Sequence, residues 1–115
     1  EELCVFRGIK YTATKTAIDK SDFLSYVELK KINPMIAADD SKINNYSCSL
    51  FMNIDELRQL TKFPNKNKAI AKGRIRSKFG PIIINEETSH IDLFLYDNVD
   101  PSNEFEVVEK WEKNG

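Results

Sequence analysis

Hydrophobic residues recur along this chain with two periods. Alternation at every second position marks strands, because successive side chains of a strand point to opposite faces. It is clearest over residues 90–96, where Ile91, Leu93 and Leu95 share one face and His90, Asp92, Phe94 and Tyr96 share the other. Ile82, Ile83 and Ile84 follow a Gly80-Pro81 breaker and predict a buried β-branched strand over 81–85. The polar link 85–89 between these segments predicts an antiparallel hairpin. Turn formers over 97–103 return the chain to a strand over 105–111, with Phe105, Val107 and Trp111 inward and Glu106, Val108 and Lys110 opposite. These three strands are expected to lie side by side as the floor on which helices pack.

Earlier in the chain, residues 3–9 (Leu3-Cys4-Val5-Phe6-Arg7-Gly8-Ile9) and 46–52 read as two further strands. Residues 68–79 alternate as well: Ala71, Gly73, Ile75, Ser77 and Phe79 take one face, and Lys72, Arg74, Arg76 and Lys78 the other. Residues 11–20 are Thr/Lys-rich and read as loop, and 34–45 is the least patterned segment. Helical period appears twice. Ser21 is placed to cap a helix over 22–31, with Asp22 at its positive end, Phe23, Leu24 and Val27 as the buried stripe, and Asn33-Pro34 as the stop. Asn53-Ile54-Asp55-Glu56 has capping-box spacing and opens a second helix whose stripe is Ile54, Leu57, Leu60 and Phe63, ended by Pro64. Strand, helix and strand over 46–79 give a connection long enough to cross between parallel strands. The pattern predicts one α+β domain over residues 1–115: a curved, mostly antiparallel sheet of about six strands with two helices.

Composition bounds the function. A chain of 115 residues with 41% hydrophobic and 30% charged residues can bury its own core. The net charge of −1 supplies no global field to recruit nucleic acid or an anionic membrane. No apolar run approaches the roughly 20 residues a membrane helix needs. Cys4 and Cys48 both sit in apolar strand contexts and read as buried free thiols, which points to a reducing, cytoplasmic setting. A start at Glu1-Glu2 fits a fragment or a processed form.

Charge is segregated along the sequence. Residues 62–78 carry Lys62, Lys66, Lys68, Lys72, Arg74, Arg76 and Lys78 and no acid, whereas 85–112 is acidic with Lys110 as its single base. The row Lys72, Arg74, Arg76 and Lys78 either meets an acidic protein partner or pairs across strands with the chain's own acids. No aromatic residue interleaves it, which speaks against a stacking platform for single-stranded nucleic acid. His90, the only histidine, shares a strand face with Asp92. One histidine and one aspartate do not make a metal site, and no CxxC or HExxH accompanies them. Cys48 with His90 would make a nucleophile–base pair, against which a structural histidine at a hairpin is the default.

Three separated pieces carry a resemblance. Phe6-Arg7-Gly8 lies in the first strand, Ser47-Cys48-Ser49 lies in the second and precedes a helix, and His90-Ile91-Asp92 opens a late strand. In this order the chain resembles the ADP-ribosyltransferase core, with its aromatic-Arg-Gly strand, Ser-x-Ser strand and late Glu-x-Glu. The resemblance implies NAD as the ligand. Arg7 would contact its phosphates, Ser47 or Ser49 would support the nicotinamide ribose, and His90 and Asp92 would stand where the family has its acidic motif. The literal Glu104-Phe105-Glu106 comes one strand late, and Asp92 is shorter than Glu. The layout also resembles small uncharacterised bacterial domains with an Asp22-Phe23-Leu24-Ser25 motif and a Thr88-Ser89-His90 hairpin strand, a resemblance that carries no activity. The residues alone favour an intracellular protein-binding module that needs no cofactor. A divergent ADP-ribosyltransferase-like enzyme is the alternative. The two readings differ in whether Arg7, Ser47 or Ser49, and Asp92 or Glu106 line one cleft.

Overall fold

Two nine-residue strands, β1 (Glu2–Lys10) and β3 (Lys68–Arg76), pair antiparallel along their whole lengths and form the middle of the molecule. The computed structural model describes residues 2–111. The remaining elements are α1 (Tyr26–Ile32), β2 (Cys48–Phe51), α2 (Ile54–Thr61), β4 (Ile82–Ile84), β5 (His90–Leu93) and β6 (Phe105–Lys110). They make one six-stranded sheet in the order β4-β5-β2-β1-β3-β6, every neighbouring pair antiparallel, with two α-helices, an α+β fold as the pattern predicts.

Alternation sorts the core into two layers. Val5, Ile9, Cys48, Leu50, Ala71, Ile91, Leu93 and Phe105 lie on one face of the sheet, under Phe23. Phe51 and Ile70 lie on the other, under Leu57 of α2. Burying a side chain such as Leu50 or Ile91 stabilises the fold by about 1.5–3 kcal/mol. β2 and β3 both flank β1, so they run parallel to each other, and α2 crosses β1 between them, with Leu57 and Thr61 against Gly8.

Several expectations are corrected. The strand over 105–111 does not lie beside β5: β5 is already paired on both sides, by β2 and β4, and β6 joins β3 at the opposite edge. Nearness in sequence is only a partial guide to pairing. The three isoleucines of β4 form an edge strand rather than a buried one, and Ile83 and Ile84 are about half exposed because no layer covers them. Alternation in 68–79 stops at Arg76, where a 3-10 turn (Ser77–Phe79) takes over, leaving Ser77 exposed and Phe79 buried. Leu60 is 71% exposed. Six residues after Ile54 it has rotated off the face, and Thr61 takes the inward place against Gly8. Cys4 is exposed, since its side of β1 carries no covering element there; Cys48 is buried, and both thiols are free.

The first helical segment also differs from its prediction. Asp19, not Ser21, caps a 3-10 turn (Lys20–Phe23), and Leu24 is extended. Ser25 then caps α1 through a reciprocal box: its hydroxyl accepts from Glu28 N at 3.2 Å while Glu28 Oε1 accepts from Ser25 N at 3.0 Å. At α2, Asn53 caps as expected, accepting from Asp55 N and Glu56 N. Glu56 does not close the box. Both its oxygens accept from Ser89 N at 3.1 Å and tie α2 to the start of β5.

β6 carries a bulge opposite Ile70 and Ala71. Val107 faces Ala71, and the extra residue sends Glu109 to the opposite face, opposite Ile70. There Arg58 of α2 donates from Nε to Glu109 Oε1 at 2.9 Å, and its Nη2 reaches the second oxygen. This bidentate grip holds the Glu109 carboxyl below its ordinary value of 4.5. Gly80 closes the turn before β4 at φ +150°, and a Cβ there would lie 2.0 Å from Phe94 O.

Two predictions follow from these contacts. Gly80→Ala meets both a forbidden backbone angle and the Phe94 carbonyl, and should lower the urea unfolding free energy by about 1–3 kcal/mol or more. Because the folded Glu109 carboxyl titrates lower than the unfolded one, its stabilisation is present above pH 4.5 and is lost as pH falls through the folded value. Urea midpoints of the wild type should therefore fall more steeply below pH 4.5 than those of Glu109→Gln; parallel curves would show that the grip contributes nothing.

Candidate functional site

β1 and β2 share a single registered pair, Phe6 with Phe51. Beyond it the strands diverge, and the guanidinium of Arg7 fills the seam. Arg7 Nη1 donates to Ser49 O of β2 at 2.7 Å, and Nε donates to Asp22 O at 2.6 Å. An edge carbonyl that would lack a ladder partner is satisfied by a charged donor instead. The guanidinium also lies 5.9 Å from the centre of the Phe23 ring. Asp22 is buried and fixed from its other end: its Oδ2 accepts from Lys15 Nζ at 2.8 Å and from Asp19 N at 3.0 Å.

β2 and β5 bring the polar candidates together. Ser49 stands directly across from Asp92, and Phe51 across from His90. Ser47 Oγ donates to Asp92 Oδ1 at 2.7 Å, and Ser49 Oγ lies 3.1 Å from His90 Nε2. His90 Nε2 is 3.8 Å from Asp92 Oδ1, and its ring meets Phe51 edge-on with centres 5.2 Å apart. The His90 and Asp92 side chains keep 28% and 17% of their surface exposed, so both remain within reach of a ligand. A cavity of about 80 Å³ joins Arg7 to Ser47 and Ser49, and Leu24, Tyr26 and Leu29 close over it. A larger cleft of about 380 Å³ adjoins it along α1, where Ser25, Val27 and Cys48 form part of its wall.

Ser47, Ser49, His90 and Asp92 thus form one side-chain patch on β2, the residue before it and β5, whereas Arg7 lies on the opposite face with Cys48 and Phe23 and meets β2 only through the Ser49 carbonyl. Ser49 and Asp92 both approach the same imidazole nitrogen, Nε2. A hydrolase triad needs the acid on the other nitrogen, so this is not one. Cys48 points to the opposite face, against Leu93 and the core, and cannot pair with His90. Burial pushes its thiol pKa up, the reverse of an activated nucleophile. Glu106 stands on β6 across from Lys72, and Glu104 pairs with Arg76, so the literal Glu-x-Glu lies outside the patch. Among the described residues no group of three or more His, Cys, Asp or Glu is placed to hold a metal ion.

The basic row has a different surrounding. Arg76 donates from Nε to Glu2 at 2.8 Å and also binds Glu104; these contacts raise its pKa and lower that of Glu2. Arg74 is 3.6 Å from Glu2 with its side chain 68% exposed. Lys72 stands exposed across from Glu106, and Lys78 lies in the turn past the strand. The pairing alternative for this row therefore describes Arg76 in full and Arg74 in part.

Sequence reasoning missed Lys15, which no periodic signal marks, and read Glu56 as a capping-box partner rather than as the acceptor for Ser89 N. It also missed the cavity wall formed by Tyr26 and Leu29, although Ser25-x-x-Glu28 carries a readable capping-box spacing that places their helix. No helix among the described residues is long and apolar enough to cross a membrane. Compared with protein-family models, curated sequences and solved structures, the chain matches none.

Ser47→Ala should cost about 1.5–3 kcal/mol, because it strips a charged, largely buried acceptor of a hydroxyl donor. Ser49→Ala should leave stability nearly unchanged yet shift the His90 ring resonances. An unmoved imidazole spectrum would disconnect the two residues.

Proposed function

We propose that this chain is a divergent ADP-ribosyltransferase-like protein that binds NAD at the seam between β1 and β2. The observation that supports it is convergence. Residues 7, 47, 49, 90 and 92 are far apart in sequence, occur in the family's order, and meet at β2, Arg7 on one face through the Ser49 carbonyl and the other four through side-chain contacts on the other. The donor set suits the ligand. A guanidinium presents paired N–H groups to phosphate oxygens, and the Ser47 and Ser49 hydroxyls on the other side of β2 are of the kind that supports a ribose. Asp92 stands in for the family's acid. A carboxylate there can hold a ribose hydroxyl and favour positive charge at the adjacent carbon. It is one methylene shorter than Glu, so its reach depends on how deep the ligand sits. Protein capture by the basic row is the weaker reading, because Arg76 is committed to Glu2 and Glu104 within the chain.

Titration calorimetry with NAD should give binding heat at submillimolar to millimolar ligand. Arg7→Ala should abolish that heat, and Arg7→Lys should weaken binding about tenfold by replacing a fork with a point charge. Circular dichroism of both variants controls for folding. Absence of NAD heat from the wild type at millimolar ligand would sink the proposal.

A further inference from the structure

The two edges of the sheet are built differently. β6 at one edge carries Glu106, Glu109 and Lys110 and is bent by its bulge, devices that discourage a further strand. β4 at the other edge is Ile82, Ile83 and Ile84, with no charge, no bulge and no proline inside it. Its hydrogen bonding fixes which groups face outward. Asn85 N donates to His90 O at 3.0 Å and Phe94 N donates to Pro81 O at 2.9 Å, so residues 81, 83 and 85 turn their main-chain groups toward β5. Ile82 and Ile84 therefore turn theirs to the open edge, where no strand lies beside them among the described residues. Their side chains share the face of Ile91 and Leu93 and line a largely apolar cavity of about 350 Å³ with Leu3, Ile75 and Tyr96. Ile83 projects from the other face and is half exposed.

We propose that the β4 edge is a dimer interface, covered by β4 of a second copy running antiparallel about a twofold axis at Ile83. In that register Ile82 exchanges both main-chain bonds with the partner's Ile84, and Ile84 does so with the partner's Ile82. The two Ile83 residues meet as the close pair between those bonds. The side chains match as well: Ile82 lies beside the partner's Ile84 on one face, and the Ile83 pair fills the other. The flanks are complementary in charge. The chain entering β4 carries the exposed Lys78, and the chain leaving it carries the exposed Glu86 and Glu87. Antiparallel pairing brings the start of each strand to the end of the other, so unlike charges meet at both ends; a parallel pair would set like charges together. An unrelated extended peptide could take the main-chain bonds but would lack this match of isoleucines and charges. A three-residue strand makes a small interface, so the expected dissociation constant is about 10–500 µM.

Sedimentation velocity on the full chain from about 5 µM to about 2 mM should show the mass rising from one copy toward two and no further. Amide exchange followed by NMR should slow between dilute and concentrated samples at Ile82 and Ile84 far more than at Ile83, whose N–H already faces β5. Ile83→Lys sets two ammonium groups face to face at the axis and should leave a monomer across the whole range. Ile83 is half exposed, so the circular dichroism of that variant should match the wild type. A wild type that stays monomeric at about 2 mM overturns the proposal. So does a dimer whose Ile82 and Ile84 amides keep their dilute exchange rates, an Ile83→Lys chain that still dimerises, or growth past two copies, which a closed twofold edge forbids. Should Ile83→Lys fail to fold, the mass and amide pattern of the wild type decide alone.

Discussion

The position of one guanidinium governs this structure. β1 and β2 part after a single registered pair, and a strand that leaves its neighbour exposes carbonyls that must find donors. Arg7 reaches across the gap to Ser49 O and back to Asp22 O. It thereby joins the two halves of the sheet at their weakest seam, and it fixes the segment that covers them. Lys15 and Asp19 then hold Asp22 from behind. The patch of Ser47, Ser49, His90 and Asp92 can form where it does because β2 is kept beside β5 yet apart from β1.

The same arrangement explains why polar chemistry survives beside a dry core. Cys48, Leu50, Ile91 and Leu93 bury one face of the β2–β5 pair, so strict alternation turns Ser49, His90 and Asp92 to the other face. There α2 covers Phe51 but stops short of the hairpin, and Glu56 fastens the hairpin by its backbone. Asp92 is left with a hydroxyl rather than a full cation as its near partner, and it retains access to solvent.

Much of this was legible in the sequence for physical reasons. Period-2 alternation located β3 and β5, and the capping residue Asn53 located α2, because both signals are local. That Ser47 and Ser49 would face His90 and Asp92 was not legible locally, since nothing local brings β5 next to β2. Long-range pairing also undid the three-strand floor: the hairpin was read correctly, but β6 was placed beside the wrong partner. The exposure of Ile83 and Ile84 depends on which strands end the sheet, a property of the assembled order and invisible in a β-branched run. Ser21 lost to Ser25 as the helix cap because Glu28, three residues after Ser25, closes the reciprocal bond. The bulge that turns Glu109 toward Arg58 also breaks the alternation by which Lys110 was set opposite Val107, since Lys110 pairs with Ala69 and Val107 with Ala71.

The far placement of β6 has a consequence for how the chain is made. β3 is complete by Arg76, but the strand that covers its outer edge begins at Phe105. During synthesis at about 5–20 residues per second, that edge emerges and waits for a second or more while the β4–β5 hairpin is still being extruded. It presents unpaired amides and carbonyls beside the small, buried-to-be Ala69, Ala71 and Gly73. Its outward residues are Lys72, Arg74 and Arg76. A nascent strand edge fringed with like charges resists pairing with another copy of itself. Until Glu104 and Glu106 arrive, Lys72 has no acid across from it, and among the described residues Glu2 of β1 is the one carboxylate in reach of Arg74 and Arg76.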